Sequence, residues 1–206
     1  LSHLPLLFHP DPQSVLVVGF GFGSTLYTAT RYDLPKIECV ELVPEEASTA
    51  QYFLPENHGV LDSPGVNIVF NDGRNLILTS EEEYDVISFN AIHPKLSPMI
   101  YTLDFYQLCR RALKPGGTVC AWLPTNGLTL MEFKSLLRSF VEVFPQSSLW
   151  WCNPANVVLL GTSDETVIDY PRWRRQLAQP KIQADLAEVF LDHPLSLASL
   201  FMMGPR

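Results

Sequence analysis

Gly19-Phe20-Gly21-Phe22-Gly23 follows an apolar run, Ser14-Val15-Leu16-Val17-Val18, and opens what reads as a helix. Glycines at such a place let backbone approach a ligand where a Cβ would collide. The spacing is G-x-G-x-G. A dinucleotide fingerprint needs its third glycine one residue later, where this chain has Ser24, so a nucleoside site is better supported than a pyrophosphate cradle. A plain tight turn is the competing explanation for the glycines alone. Glu41 argues against it, because it ends the next apolar run about 20 residues on, where a carboxylate can accept from both hydroxyls of a ribose. Asn71-Asp72-Gly73-Arg74 adds a third feature after a third run. There Asp72 can accept from an adenine amino group while Gly73 lets the loop bend around the base, the alternative being an ordinary Asp-Gly turn. Gly19, Gly21, Gly23, Glu41, Asp72 and Gly73 are therefore the candidate nucleoside-binding residues.

Such a site needs strands that end together and helices that begin there. Val15 to Val18 reads as a buried parallel strand, Ser24 to Asp33 as a helix, and Lys36 to Leu42 as the second strand. Pro44 stands where a helix's first turn would start, with Glu45 and Glu46 favouring its positive end. Val66 to Phe70, Tyr84 to Phe89 and Thr118 to Leu123 read as further strands, and Thr102 to Leu113 and Leu130 to Phe144 as helices. Ser148 to Trp151 and Asn156 to Gly161 look like two closing strands that pair antiparallel. The alternation predicts an α/β, Rossmann-like fold with a mainly parallel seven-stranded sheet covered by helices on both faces. After about Asp164 the pattern changes: Tyr170 to Leu177 and Ile182 to Leu191 read as helices separated by Pro180. Residues 1–164 are thus expected to form the nucleoside-binding domain and 165–206 a helical tail packed on it.

Composition bounds the function. With 206 residues, 47% hydrophobic and 17% charged, the chain has the makings of one large globular core. A formal net charge of -8 repels a phosphate backbone, which argues against nucleic acid as a partner. The same acidity suits cationic ligands such as polyamines, and equally suits simple solubility. Cys39, Cys109, Cys120 and Cys152 include no Cys-x-x-Cys pair and no metal site is expected; three fall in apolar runs, which fits a reducing compartment such as the cytoplasm. Trp122, Trp150, Trp151, Phe133, Phe140 and Phe144 read as core, and the Arg172, Arg174 and Arg175 cluster as an exposed helix face. No run of eighteen apolar residues is present, and the absence of an initiator Met leaves open that the chain is part of a longer protein.

His9-Pro10-Asp11-Pro12 before the first strand, then Val40-Glu41-Leu42, Asn71-Asp72-Gly73 and Tyr84-Asp85-Val86-Ile87, resemble the spermidine synthase family in order and spacing. Tyr101-Thr102-Leu103-Asp104-Phe105-Tyr106 and Leu113-Lys114-Pro115-Gly116-Gly117 extend the likeness to about residue 125. Trp122-Leu123-Pro124 is similar to a branch fused to membrane helices, so a membrane-anchored parent, with this domain on its cytoplasmic face, stays open. The resemblance implies a class I methyltransferase-like fold and transfer of an aminopropyl group from decarboxylated S-adenosylmethionine to a small-molecule amine, with methylthioadenosine as product. It also implies nucleoside-binding roles for the six residues named above.

The same likeness marks departures. Aminopropyl transfer needs an unprotonated amine to attack the carbon beside a sulfonium, so carboxylates hold the cations and one accepts the proton. The family's acidic residue in the glycine loop corresponds here to Phe22, and its Asp-x-x-Asp-Pro after the fourth strand to Asn90-Ala91-Ile92-His93-Pro94. Asn90 cannot accept a proton at neutral pH. His93 can, which makes His93 and Asn90 the candidate catalytic pair; a loop histidine hydrogen-bonded to backbone is the competing reading. Lys95 beside it would repel a polyamine. The family's N-terminal β-hairpin domain has no counterpart in the short stretch before the first strand. Three functions remain: an aminopropyltransferase-like enzyme, an S-adenosylmethionine-dependent methyltransferase with an unknown acceptor, and a non-catalytic nucleoside- or partner-binding domain. Assembly as a homodimer stays open.

Overall fold

Ser14–Val18 is buried on both faces, and its side chains divide by period two. Leu16 and Val18 pack into one hydrophobic cluster, Val15 and Val17 into another on the opposite side. This strand, β1, is the centre of the fold. The computed structural model describes residues 1–81, 83–89, 92–162, 164 and 168–205. The other strands are β2 (Lys36–Glu41), β3 (Val66–Phe70), β4 (Tyr84–Phe89), β5 (Leu113–Pro124), β6 (Gln146–Asn153), β7 (Asn156–Thr162) and β8 (Phe201–Met203). The helices are α1 (His3–Phe8), α2 (Ser24–Ala29), α3 (Pro44–Thr49), α4 (Leu54–Asn57), α5 (Gly73–Thr79), α6 (Leu103–Ala112), α7 (Leu130–Val143), α8 (Tyr170–Leu177), α9 (Pro180–Ala187) and α10 (Pro194–Ala198), with short 3-10 turns between some of them.

The sheet order is β3-β2-β1-β4-β5-β7-β6-β8. The first five strands run parallel, and β7, β6 and β8 add antiparallel pairs at one side. The sheet is therefore mixed, with eight strands where the sequence pattern suggests seven. The extra strand is β8, which pairs with Leu149 and Trp150 of β6. Three residues are too few for alternation to show. The tail also departs from expectation at its second helix. Pro180 does not separate the helices but begins α9, and a turn through Val189 and Phe190 ends it well before Leu191.

Trp173, Leu177, Ile182, Leu186 and Leu197 of the tail share one hydrophobic cluster with Leu4, Leu7 and Phe8 of α1 and Trp150 of β6. The arginine face is only partly free, because Arg172 donates to the carbonyls of Leu7 and Phe8. Among the aromatic residues expected in the core, Trp151 is the exception: it is 44% exposed, since its neighbour Trp150 takes the inward position on the strand. Cys39, Cys109 and Cys120 are buried and free, Cys152 exposed and free. Burial pushes the Cys120 thiol up to about 12, so it behaves as a small apolar side chain. Among the described residues, no helix is long and apolar enough to cross a membrane.

A buried polar cluster closes the sheet at the ends opposite the glycine turn. Asp85 accepts from the backbone N–H groups of Gln13 and Ser14, from the Ser14 hydroxyl and from Lys114 Nζ at 3.0 Å. His9 Nε2 stands 3.8 Å from its other oxygen. Burial works to raise the Asp85 carboxyl, but the bonds from Ser14, Lys114 and Gln13 outweigh it and hold the group below its usual value. Burial lowers His9 despite the charge of Asp85, and it lowers His3, which bridges Tyr32 and Asp185. A histidine with a lowered folded pKa binds fewer protons than in the unfolded chain, so its stability contribution is lost as pH falls below the unfolded value of about 6.5. Asp85 acts in the same direction at lower pH, where protonation removes its bonds. The melting temperature is thus expected to fall steadily as the pH drops below about 6.5. His9→Gln should flatten the upper part of that curve, and a profile that is level or rises toward acid would contradict the assignment.

Candidate active site

The chain leaves β1 to build β2 and β3 on one side and returns to build β4 and β5 on the other. Open α/β sheets form a crevice at such a reversal, outside the carboxyl ends of the strands. Here the crevice is a cavity of about 330 Å³ lined by Gly19, Gly21, Phe22, Glu41, Glu46, Asp72 and Gly73, with Val18, Val40, Leu42, Val43, Ile92, Ser97 and Ile100. That volume is at the lower end of the ~300–1,000 Å³ typical of small-molecule sites.

The glycine turn is held from both sides. Gly19, Gly21 and Gly23 take φ of 88°, 54° and 89°, a region open chiefly to glycine. A Cβ on Gly23 would lie 2.8 Å from the Phe20 ring and 2.9 Å from Asn57, so this glycine also answers to packing. Asn57 is buried and donates to the Phe22 carbonyl, tying the turn to α4. From the other side, Glu41 Oε2 accepts from the Phe20 N–H at 2.7 Å while Oε1 accepts from the Val43 N–H at 2.7 Å. Glu41 is only 5% exposed and lies against the turn. A carboxylate offers about four lone-pair sites, so two acceptor directions remain after these bonds.

Asp72 and Gly73 are brought to the same cavity, but by a different local structure from the expected bend. Asp72 caps α5, its Oδ1 accepting from the N–H groups of Arg74 and Asn75. Gly73 is the first residue of that helix, and a Cβ there would meet Val18 Cγ1 at 2.7 Å. Its function is a close helix-to-strand fit, not a flexible loop. Neither of these bonds uses its second oxygen, Oδ2.

The candidate catalytic pair fares differently. Asn90 lies outside the described residues. His93 is not among the residues lining the cavity. Its Nδ1 accepts from the Lys95 N–H at 3.2 Å, which leaves Nε2 as the donor to the Asn126 carbonyl at 3.1 Å. The ring also packs on Gly127, where a Cβ would lie 3.0 Å from Nε2. The backbone-bonded reading of this histidine is the one the geometry fits. Lys95, expected to repel a cation, pairs with Glu132 at 3.6 Å instead.

Phe22 is 58% exposed and leans on Phe53, ring centroids 4.5 Å apart, to form an apolar wall at the mouth. The far wall comes from Ile92, Ser97 and Ile100, a segment anchored by the Tyr101 hydroxyl donating to the Ile92 and Trp122 carbonyls. Sequence reasoning missed this wall because residues 92–100 carry no periodicity. It also treated Glu46 only as a helix-end acid; its signal was its place five residues after Glu41, within the first turn of α3. Burial and the charge of Glu41 push the Glu46 carboxyl up, with the Gly21 backbone N–H pulling the other way. The described lining thus holds three carboxylates and no lysine, arginine or histidine. Among the described residues no group of three or more His, Cys, Asp or Glu is placed to hold a metal ion.

A mixed sheet in this order, with its cavity at the strand reversal, defines a methyltransferase-type α/β domain. The chain belongs to the spermine/spermidine synthase family: the family's spermine/spermidine synthase domain matches residues 1–156. It is 35% identical over 148 residues to the polyamine aminopropyltransferase of Nitrosomonas europaea, covering 70% of this chain and 45% of that protein. It is 32% identical over 158 residues to the polyamine aminopropyltransferase of Bacillus subtilis, covering 74% and 56% respectively. The chain therefore spans about half the length of the curated relatives it matches. In fold it resembles spermidine synthase from Thermotoga maritima, with a TM-score of 0.80 at 22% identity over 98% of this chain and 69% of that one. Human methyltransferase-like protein 13 in complex with SAH aligns with a TM-score of 0.66 at 22% identity, over 89% and 86%.

Proposed function

We propose that this domain binds the adenosyl part of decarboxylated S-adenosylmethionine, or of S-adenosylmethionine itself, as a spermidine-synthase-like transferase domain. The observation that carries the proposal is Glu41: a buried carboxylate fixed against the glycine turn, with two acceptor directions left for the two hydroxyls of a ribose. Asp72 supplies an acceptor for the adenine amino group from the next strand, and Gly19 and Gly21 keep the floor free of side chains. The apolar residues Val40, Leu42 and Ile100 suit the faces of the base.

When bound, decarboxylated S-adenosylmethionine supplies an aminopropyl carbon activated by the adjacent sulfonium. The chain's own part is to hold the nucleoside, to exclude water with the Phe22 and Ile92 walls, and to surround the reacting end with negative charge. That charge, together with relatives named polyamine aminopropyltransferase, supports a small cationic amine as acceptor.

The test is incubation with decarboxylated S-adenosylmethionine and putrescine, following methylthioadenosine, alongside calorimetry with the nucleoside alone. Binding with methylthioadenosine release is the expected result. Folded protein that binds neither decarboxylated nor ordinary S-adenosylmethionine would overturn the proposal. Binding without product would favour the non-catalytic reading, which has one specific support: both His93 ring nitrogens are committed to backbone groups.

A further inference from the structure

The three carboxylates of the cavity have different duties. Asp72 commits one oxygen to the cap of α5, and Glu41 joins the Phe20 and Val43 amides and turns its remaining capacity toward neutral hydroxyls. Glu46 lies at the mouth, on a helix that contributes no buried residue to the core. There it lines the cavity and accepts from the Gly21 backbone N–H of the glycine turn. We propose that Glu46 sets the charge preference of the site, meeting the cationic end of an adenosyl ligand so that a sulfonium- or ammonium-bearing nucleoside is favoured over a neutral thioether one.

The inference rests on the adenosyl-site reading and goes beyond it by assigning the discrimination to one side chain. Its physical basis is the sign of the lining: with no cation among the described lining residues, only backbone N–H groups offset the three negative charges, and a positive ligand adds to them. Burial and the charge of Glu41 both work against the ionised form of Glu46, with the Gly21 backbone N–H working for it. A cation placed beside it relieves that conflict; a neutral ligand leaves it in place.

The experiment is calorimetric titration of the wild type, Glu46→Gln and Glu46→Asp with decarboxylated S-adenosylmethionine and, separately, with methylthioadenosine. In Glu46→Gln the ratio of the two affinities should shrink about tenfold, an amount suited to a charge-assisted contact that is part-screened by solvent. Glu46→Asp should recover part of the ratio, and all three proteins should melt alike. An unchanged ratio in a variant that still binds nucleoside overturns this inference alone. Equal weakening toward both ligands does the same, because it would mark a general wall residue. Failure of the wild type to bind either nucleoside overturns the adenosyl reading and this inference with it.

Discussion

Glu41→Ala should reduce adenosyl-ligand affinity by about 100-fold or more. A hydrogen bond to a charged acceptor contributes about 1.5–3 kcal/mol, and two ribose hydroxyls would each lose one, so the sum of about 3–6 kcal/mol corresponds to two to four powers of ten. The variant also strips the Phe20 N–H of its acceptor inside a region where Phe20 itself is 0% exposed. An unpaired buried donor costs about 1–3 kcal/mol, so a drop of that order in urea stability should accompany the binding loss. Glu41→Gln separates the two effects, since its amide oxygen can still accept from one backbone N–H while the bidentate grip on the sugar is gone. Stability between those of the wild type and Glu41→Ala, with binding largely lost, is expected of it. Wild-type affinity in Glu41→Ala would remove the foundation of the functional reading.

Trp173→Ala should destabilise the whole domain by about 3–5 kcal/mol, the range for deleting a large aromatic side chain from a packed interior. Trp173 is 0% exposed, meets Phe8 edge-on at 5.1 Å and lies 6.3 Å from Trp150. Its Nε1–H donates to the Leu7 carbonyl at 3.0 Å, so truncation removes one of the two bonds to that carbonyl, Arg172 keeping the other, as well as leaving a void. Because the cluster joins α1, β6 and the tail, a single urea transition at lower midpoint is the expected form of the loss. A separate early transition, with the main one unmoved, would instead show that residues 165–206 unfold on their own. Trp173→Phe keeps most of the ring volume and should lose less.

The parts of the fold that were legible in the sequence are those with a strong period or a punctuating residue. β1 to β4 fall where apolar runs meet glycine or acidic ends, and α7 falls where apolar residues recur at helical spacing from Leu130. Elements without such marks were not visible. In α1 the run Leu4 to Phe8 is buried on every side, so it shows no helical period. For α5 the Asp-Gly pair looked like a turn, because Asp is common both in turns and at helix starts. The glycine turn, Glu41 and Asp72 could be placed in one site from spacing alone, since strand ends of a parallel sheet converge. The surroundings of His93 could not: they depend on Asn126 and Gly127, more than thirty residues away in sequence.

The fit between Gly73 and Val18 has a consequence for how this site can drift over time. The two positions share room for a single methyl group, so neither is free to change by itself. A lineage that gains a side chain at 73 has to surrender one at 18, either in the same step or through an intermediate with a displaced α5. Because that helix begins with Asp72, every such detour would also re-aim an acceptor in the cavity, which links the history of a packing contact to that of the ligand the site admits.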